Sequence, residues 1–373
     1  MTSTPLYYIR FSKPPPTEYF VGQHFSIVWT IESDLGDQAF WEPVPVTCSL
    51  QGCSQLGLRV LSTDQKNNKK KASAKPYQQE KVSLSPDISL VYDPLQGGGI
   101  VTKLVIEQLP GKPLPTGTAV NIQLSMILAP AARTTFISHK VWQNAYMFSS
   151  IWVLPTWSAP IQTTVSKQSH FDTESGDQAE RILRVNQNQI IRIREDAVHS
   201  IARHVWDCGL GMCQFLSKHK LDPKHNVFLE LGSGTGLVGI YAAELLKPKR
   251  VYLTDLADAL EIMQQNVDLM NTNTVEMIVK ELSWGPTKSQ EYSDVNLVLL
   301  TDVLYNQGSH DVLLETLDWI LDNDNAKALL TYKERNPDER EFFTKVENRG
   351  WQCQRIIEDS CDDLICEVYY IQK

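Results

Sequence analysis

The stretch VFLELGSGTG, Val227 to Gly236, constrains this chain more than any other. A strand-prone run broken only by Glu230 meets Gly232, Gly234 and Gly236, and a helical pattern, GLVGIYAAELL, follows at once. The unit then repeats. RVYLTD, VEMIVKEL, NLVLLTD and AKALLTY read as strands, and ALEIMQQNVDLM and DVLLETLDWIL read as helices among them. Strands alternating with helices predict an α/β fold with a parallel, doubly wound sheet. WQCQRIIE and LICEVYYIQ are expected to close that sheet as two antiparallel strands. Ahead of it, ILRVNQNQIIRIRED reads as a hairpin turning at Asn186-Gln187-Asn188. Val205, Cys208, Met212, Phe215 and Leu216 then make an apolar stripe at helical spacing.

The first half has a different character. The chain has 373 residues, more than one core comfortably holds, so two domains are expected. Fifteen of the 19 prolines fall at or before Pro160. HFSIVWTI, PVTCSL, LGLRVL, KVSLS, KLVIEQL, AVNIQLSMIL and SSIWVL read as short strands. Turn signals separate them, among them Gly97-Gly98-Gly99 and LPGKPLPTG, and the pattern predicts a β-sandwich. The polar stretch Ser166 to Glu180 reads as a linker. The expected organisation is a β domain over 1–165, a linker over 166–180 and an α/β domain over 181–373. The lysines of Lys66 to Lys75 read as a solvated loop, with a nuclear-localisation patch as the alternative.

Charge and composition narrow the class. A net charge of -9 argues against a nucleic-acid backbone as the main ligand. No secretory signal and no run long enough to span a membrane is visible. Seven scattered cysteines fit reduced thiols better than a disulfide framework, so a cytoplasmic location is expected, with the nucleus as a second one; a monomer is expected. Cys208 and Cys213 sit five apart on the expected helix and read as core rather than metal ligands; no metal is expected.

The glycines ask for a ligand. Side chains at 232, 234 and 236 would keep a small molecule off the backbone amides at the helix start. Gly234, Gly236 and Gly239 also match the dinucleotide fingerprint, and a plain tight turn is the bland alternative. Asp255 ends the next strand, where a carboxylate takes both ribose hydroxyls. That indicates a ribose-bearing ligand without separating NAD from S-adenosylmethionine. Glu230 beside the turn suits a cationic ligand better than two phosphates.

LELGSGTGLVGIYAA, VYLTD, EIMQQNVDLMN, VKELSWG and TDVLY, preceded by HVWDCGLGMCQFL, come in a telling order. Order and spacing resemble the seven-strand protein-lysine methyltransferases of methyltransferase family 16, from about Ile182 to the C-terminus. The first half has no counterpart in that resemblance. It implies S-adenosylmethionine as cofactor, bound by Trp206, Glu230, Gly232, Ser233, Gly234, Gly236, Asp255, Trp284 and Thr301. Trp206 would border the cofactor and Trp284 would lie against the adenine. Asp302 and Tyr305, of Asp-Val-Leu-Tyr, would hold and wall in the target amine.

Lysine suits such a site. Its free amine has a pKa of about 10.4 and attacks only when neutral, and an aromatic channel disfavours the ammonium. Positioning then supplies most of the acceleration. Arg192 and Arg194 are candidates for the cofactor carboxylate, with solvent exposure as the alternative. Tyr332 to Arg335 reads as substrate rim or as a solvated helix start.

The resemblance implies a protein-lysine N-methyltransferase, with a chaperone, an AAA-type ATPase or a translation factor as partner. The β domain is expected to recruit the substrate. The alternatives are a small-molecule or RNA methyltransferase, a cofactor-binding scaffold, and an NAD oxidoreductase. Adenine- and glutamine-directed relatives carry an Asn-Pro-Pro-aromatic stretch where this chain has Asp-Val-Leu-Tyr.

Overall fold

The computed structural model describes residues 6–61, 83–97, 99–113, 120–130, 146–148, 151–164, 174–198, 203–222, 224–270, 274–323, 325–356 and 366–373. The lysine stretch 66–75, Gly98 and most of the expected linker lie outside them.

The first half supplies fourteen strands among the described residues. They are β1 (Leu6–Lys13), β2 (Glu18–Phe20), β3 (His24–Glu32), β4 (Val44–Gln51), β5 (Leu56–Val60), β6 (Asp87–Tyr92), β7 (Ile100–Gln108), β8 (Val120–Leu128), β9 (Tyr146–Phe148), β10 (Ile151–Leu154), β11 (Thr156–Ser158), β12 (Ile161–Thr164), β13 (Gln178–Asn186) and β14 (Gln189–Asp196). One sheet runs β5-β7-β3-β1-β10-β9, and the other runs β14-β13-β11-β8-β12-β2 with β4 and β6 joined through β8. Alternate residues of β3 and β4 are buried, as a sheet with one face on a core requires. Ile9, Phe11, Trp29, Val46, Leu124 and Met126 fill the space between the sheets. The first half is therefore a β-sandwich.

The second half contains α1 (Asp207–Lys218), β15 (Val227–Leu231), α2 (Leu237–Leu246), β16 (Arg250–Asp255), α3 (Leu260–Asp268), β17 (Glu276–Glu281), β18 (Leu297–Thr301), α4 (His310–Ile320), β19 (Lys327–Tyr332), α5 (Glu341–Asn348), β20 (Gln352–Arg355) and β21 (Glu367–Gln372). The sheet order is β17-β16-β15-β18-β19-β21-β20. Its first five strands are parallel, and β21 pairs antiparallel with both β19 and β20. The order reverses between β15 and β18, and ligands of open α/β sheets bind at the carboxyl ends beside such a switch.

The two halves are not joined by a simple tether. The expected boundary at 180/181 falls inside β13, and the β13–β14 hairpin extends the sandwich sheet by pairing with β11. The physical reason is visible on β1, which is buried on both faces from Leu6 to Arg10. Ile9 and Phe11 enter the sandwich core, while Leu6 and Tyr8 join Trp152 and Leu154 in a core shared with α1, α2 and β15. One strand thus serves two cores.

Candidate active site

At the carboxyl ends of β15, β16 and β18 lies a cavity of about 680 Å³, within the range of small-molecule sites. Trp206, Glu230, Gly232, Ser233, Gly234, Asp255, Trp284, Thr301, Asp302 and Tyr305 all line it. Gly236, expected among the cofactor residues, lies off its wall. It opens α2 at φ +76°, where an added Cβ would stand 3.0 Å from the Met263 side chain.

The glycine turn is fixed from behind. The amides of Gly232 and Ser233 donate to the Thr254 carbonyl at 2.9 and 3.0 Å, and the Ser233 hydroxyl accepts the Thr254 N–H at 3.0 Å. Asn266 donates to the Thr235 carbonyl at 2.9 Å and accepts the Arg194 N–H at 2.8 Å, tying hairpin to turn. Gly232 has φ +71°, and a Cβ there would meet Val303 at 3.1 Å and Trp284 at 3.3 Å. The bare backbone therefore leaves room beneath the Trp284 indole.

Two carboxylates flank this turn. Glu230 is buried and accepts the Gly239 N–H at 2.8 Å. Burial pushes its carboxyl up to about 8, against the pull of that hydrogen bond. Asp255 accepts from Gly234 at 2.8 Å and from Leu256 at 2.7 Å, and burial raises it too. A turn with no relaxed place for a Cβ at Gly232, a buried and a half-buried acid, and an indole fit a nucleoside with a cationic tail. Arg192 and Arg194 do not line the cavity. Both turn to Glu180, at 3.2 and 3.4 Å, which corrects their candidacy for the cofactor carboxylate.

The other side of the cavity is ionic. Val303 and Leu304 are buried, and the His310 ring holds the Leu304 carbonyl at 2.9 Å, so Asp302 and Tyr305 face outward. Asp302 sits at φ +57°, a left-handed conformation that aspartate tolerates better than most residues. Its carboxylate binds Arg335 twice, Nε to Oδ1 at 3.0 Å and Nη2 to Oδ2 at 2.5 Å. Burial raises Asp302, and Arg335 opposes the rise. The Arg335 guanidinium also lies 5.5 Å from the Trp206 ring centre. Arg335 therefore belongs to the cavity rim rather than to a solvated helix start, and α5 begins only at Glu341.

Sequence reasoning missed the sandwich's share. Leu35, from the turn between β3 and β4, lines the cavity, and its neighbour Asp34 is buried against Arg335 at 2.8 Å and Lys333 at 3.7 Å. Arg335 and Lys333 together hold Asp34 below the usual carboxylate range despite its burial. Lys333 continues to Asp207 at 2.5 Å, and Asp207 accepts the Tyr8 hydroxyl at 2.5 Å. Burial raises Asp207 to about 6, and Asp34 adds to the rise. His204 also lines the cavity. ESDLGD reads locally only as a polar turn, so no signal in it marks a residue of this site.

Comparison with known proteins adds a family. The family described as lysine methyltransferase matches residues 185–349. A UPF0665 family protein of Schizosaccharomyces pombe is 34% identical over 169 residues, covering 42% of this chain and 49% of its own. Protein N-lysine methyltransferase METTL21A of Danio rerio is 33% identical over 181 residues, covering 48% of this chain and 81% of its own. EEF1A lysine methyltransferase 3 of Xenopus tropicalis is 36% identical over 120 residues, covering 32% and 53%. The matched segment is thus about half the length of the first and third relatives.

Proposed function

The chain belongs to the lysine methyltransferase family, and we propose that it takes S-adenosylmethionine as its methyl donor and methylates the ε-amine of a lysine in a protein. The observation that carries this is Asp302, an acid at the cavity's ionic wall beside Trp206 and Tyr305. When bound, S-adenosylmethionine supplies a methyl carbon whose bond to sulfur breaks as the amine lone pair forms the C–N bond. The protein's part is placement. Gly232, Gly234, Asp255 and Trp284 hold the donor, with Ser233, Thr301 and Trp206 around it. Asp302 accepts a hydrogen bond from the amine and aims its lone pair, and Tyr305 walls the approach. The ammonium sheds its proton to solvent before attack, a loss that desolvation favours and the Asp302 carboxylate opposes.

A protein substrate is supported by the relatives, one of which is named for the translation factor EEF1A. A translation factor, a chaperone or an AAA-type ATPase is the proposed class of target. The sandwich is proposed to orient that protein, since Leu35 stands on the cavity wall about half exposed. The proposed location is the cytoplasm, and the nucleus where Lys66 to Lys75 serve for import. Incubating the purified chain with radiolabelled S-adenosylmethionine and a cell extract tests the reading. A labelled protein whose methyl group maps to lysine is expected. Label confined to RNA or small molecules would overturn it.

A further inference from the structure

Both oxygens of Asp302 are already engaged. Arg335 fills them with Nε and Nη2 in the fork geometry that a guanidinium and a carboxylate share. It does so beside Trp206, where a cation gains from the indole face. The proposed target amine needs the same carboxylate.

The same Nη2 also donates to Asp34 Oδ2 at 2.8 Å. Asp34 is a rigid partner. Its Oδ1 accepts the Leu35 N–H at 3.0 Å, its carbonyl accepts from Arg10 at 3.0 Å, and its side chain is buried. A guanidinium leaving Asp302 thus keeps an anchor on the sandwich.

We propose that Arg335 stands in for the target amine on Asp302 in the unloaded enzyme, and that Asp34 of the sandwich receives it when the amine enters. The proposal rests on the lysine reading above. Asp34 is then a positioning residue, acting through Arg335, and the sandwich completes the acceptor site.

The test titrates a cell extract containing the labelled target against the full chain and radiolabelled S-adenosylmethionine. With Asp34→Asn the displaced guanidinium has no charged receiver, so the half-saturating target concentration rises about tenfold, more than the maximal rate falls. Asp34→Glu restores most of the loss. Arg335→Gln removes the stand-in and lowers the half-saturating concentration. In that background Asp34→Asn adds nothing. Donor affinity, measured by calorimetry, reports that each variant is folded. An unchanged half-saturation in Asp34→Asn overturns the proposal, as does a rise in Arg335→Gln or an Asp34→Asn effect that persists beside it. If the wild type binds donor but labels no protein, the lysine reading fails, and this proposal with it.

Discussion

The donor side of the cavity takes Glu230, Gly232, Ser233, Gly234 and Asp255 from one β-turn-α-β passage. The amine side takes Asp34 and Leu35 from the sandwich, Trp206 from the start of α1, Asp302 from the end of β18, and Arg335 from beyond β19. The first is a matter of backbone, held by amides, carbonyls and glycine dihedrals. The second is a matter of side-chain charge carried across two cores. A buried ionic chain of this kind contributes little net stability, because desolvation offsets the Coulomb gain, but losing one member leaves an uncompensated charge. The donor wall should therefore respond to changes in shape, and the amine wall to changes in charge and long-range packing.

Tyr8→Ala presses the contrast hardest. Tyr8 is fully buried in the shared core and donates to Asp207, although it belongs to β1 of the sandwich. Removing the ring should destabilise the whole chain by about 3–5 kcal/mol, read by denaturant unfolding. A loss confined to the sandwich, with the second half unfolding as before, would break the idea of a shared core.

Gly232→Ala comes next. Its φ of +71° and the 3.1 Å approach to Val303 leave no relaxed place for a methyl group. The strain amounts to about 1–3 kcal/mol, and calorimetry should show donor affinity falling about tenfold or more. Unchanged affinity would mean that the donor does not rest on this turn.

The smallest expected effect is a pH dependence. Glu230 is raised to about 8 by burial. Its unloaded folded form holds a proton that the unfolded chain releases near the ordinary carboxylate value, so its contribution to stability is full at low pH and fades as pH rises towards 8. A positively charged donor favours the ionised acid, so donor affinity should climb between pH 6 and 8. The gain is about tenfold per pKa unit separating the free from the loaded protein. S-adenosylhomocysteine, without the sulfonium charge, should show a flatter profile, and Glu230→Gln should flatten both. Equal slopes for the two ligands would remove Glu230 from charge recognition.

The same contrast explains what could be read in advance. The glycine turn, Asp255 and the succession of strands and helices in the second half were legible because each element announces itself within a short window of sequence. The sandwich was legible as strands, although Leu6–Lys13 escaped notice: buried on both faces, it lacks the alternation that marks a half-buried strand. Asp34 and Leu35 were not legible, because a polar turn takes on meaning only when folding brings it to Arg335, 301 positions away. Arg192 and Arg194 misled for the same reason. Glu180, their partner, lies across the hairpin in a strand that reads as linker.

Asp302→Ala measured by two readouts on one preparation tests the central claim most directly. The account predicts donor affinity within a few fold of wild type and a loss of lysine methylation of about 10²-fold or more. Methylation persisting near the wild-type rate would contradict it, because the amine side of the cavity would then not be where the acceptor is held.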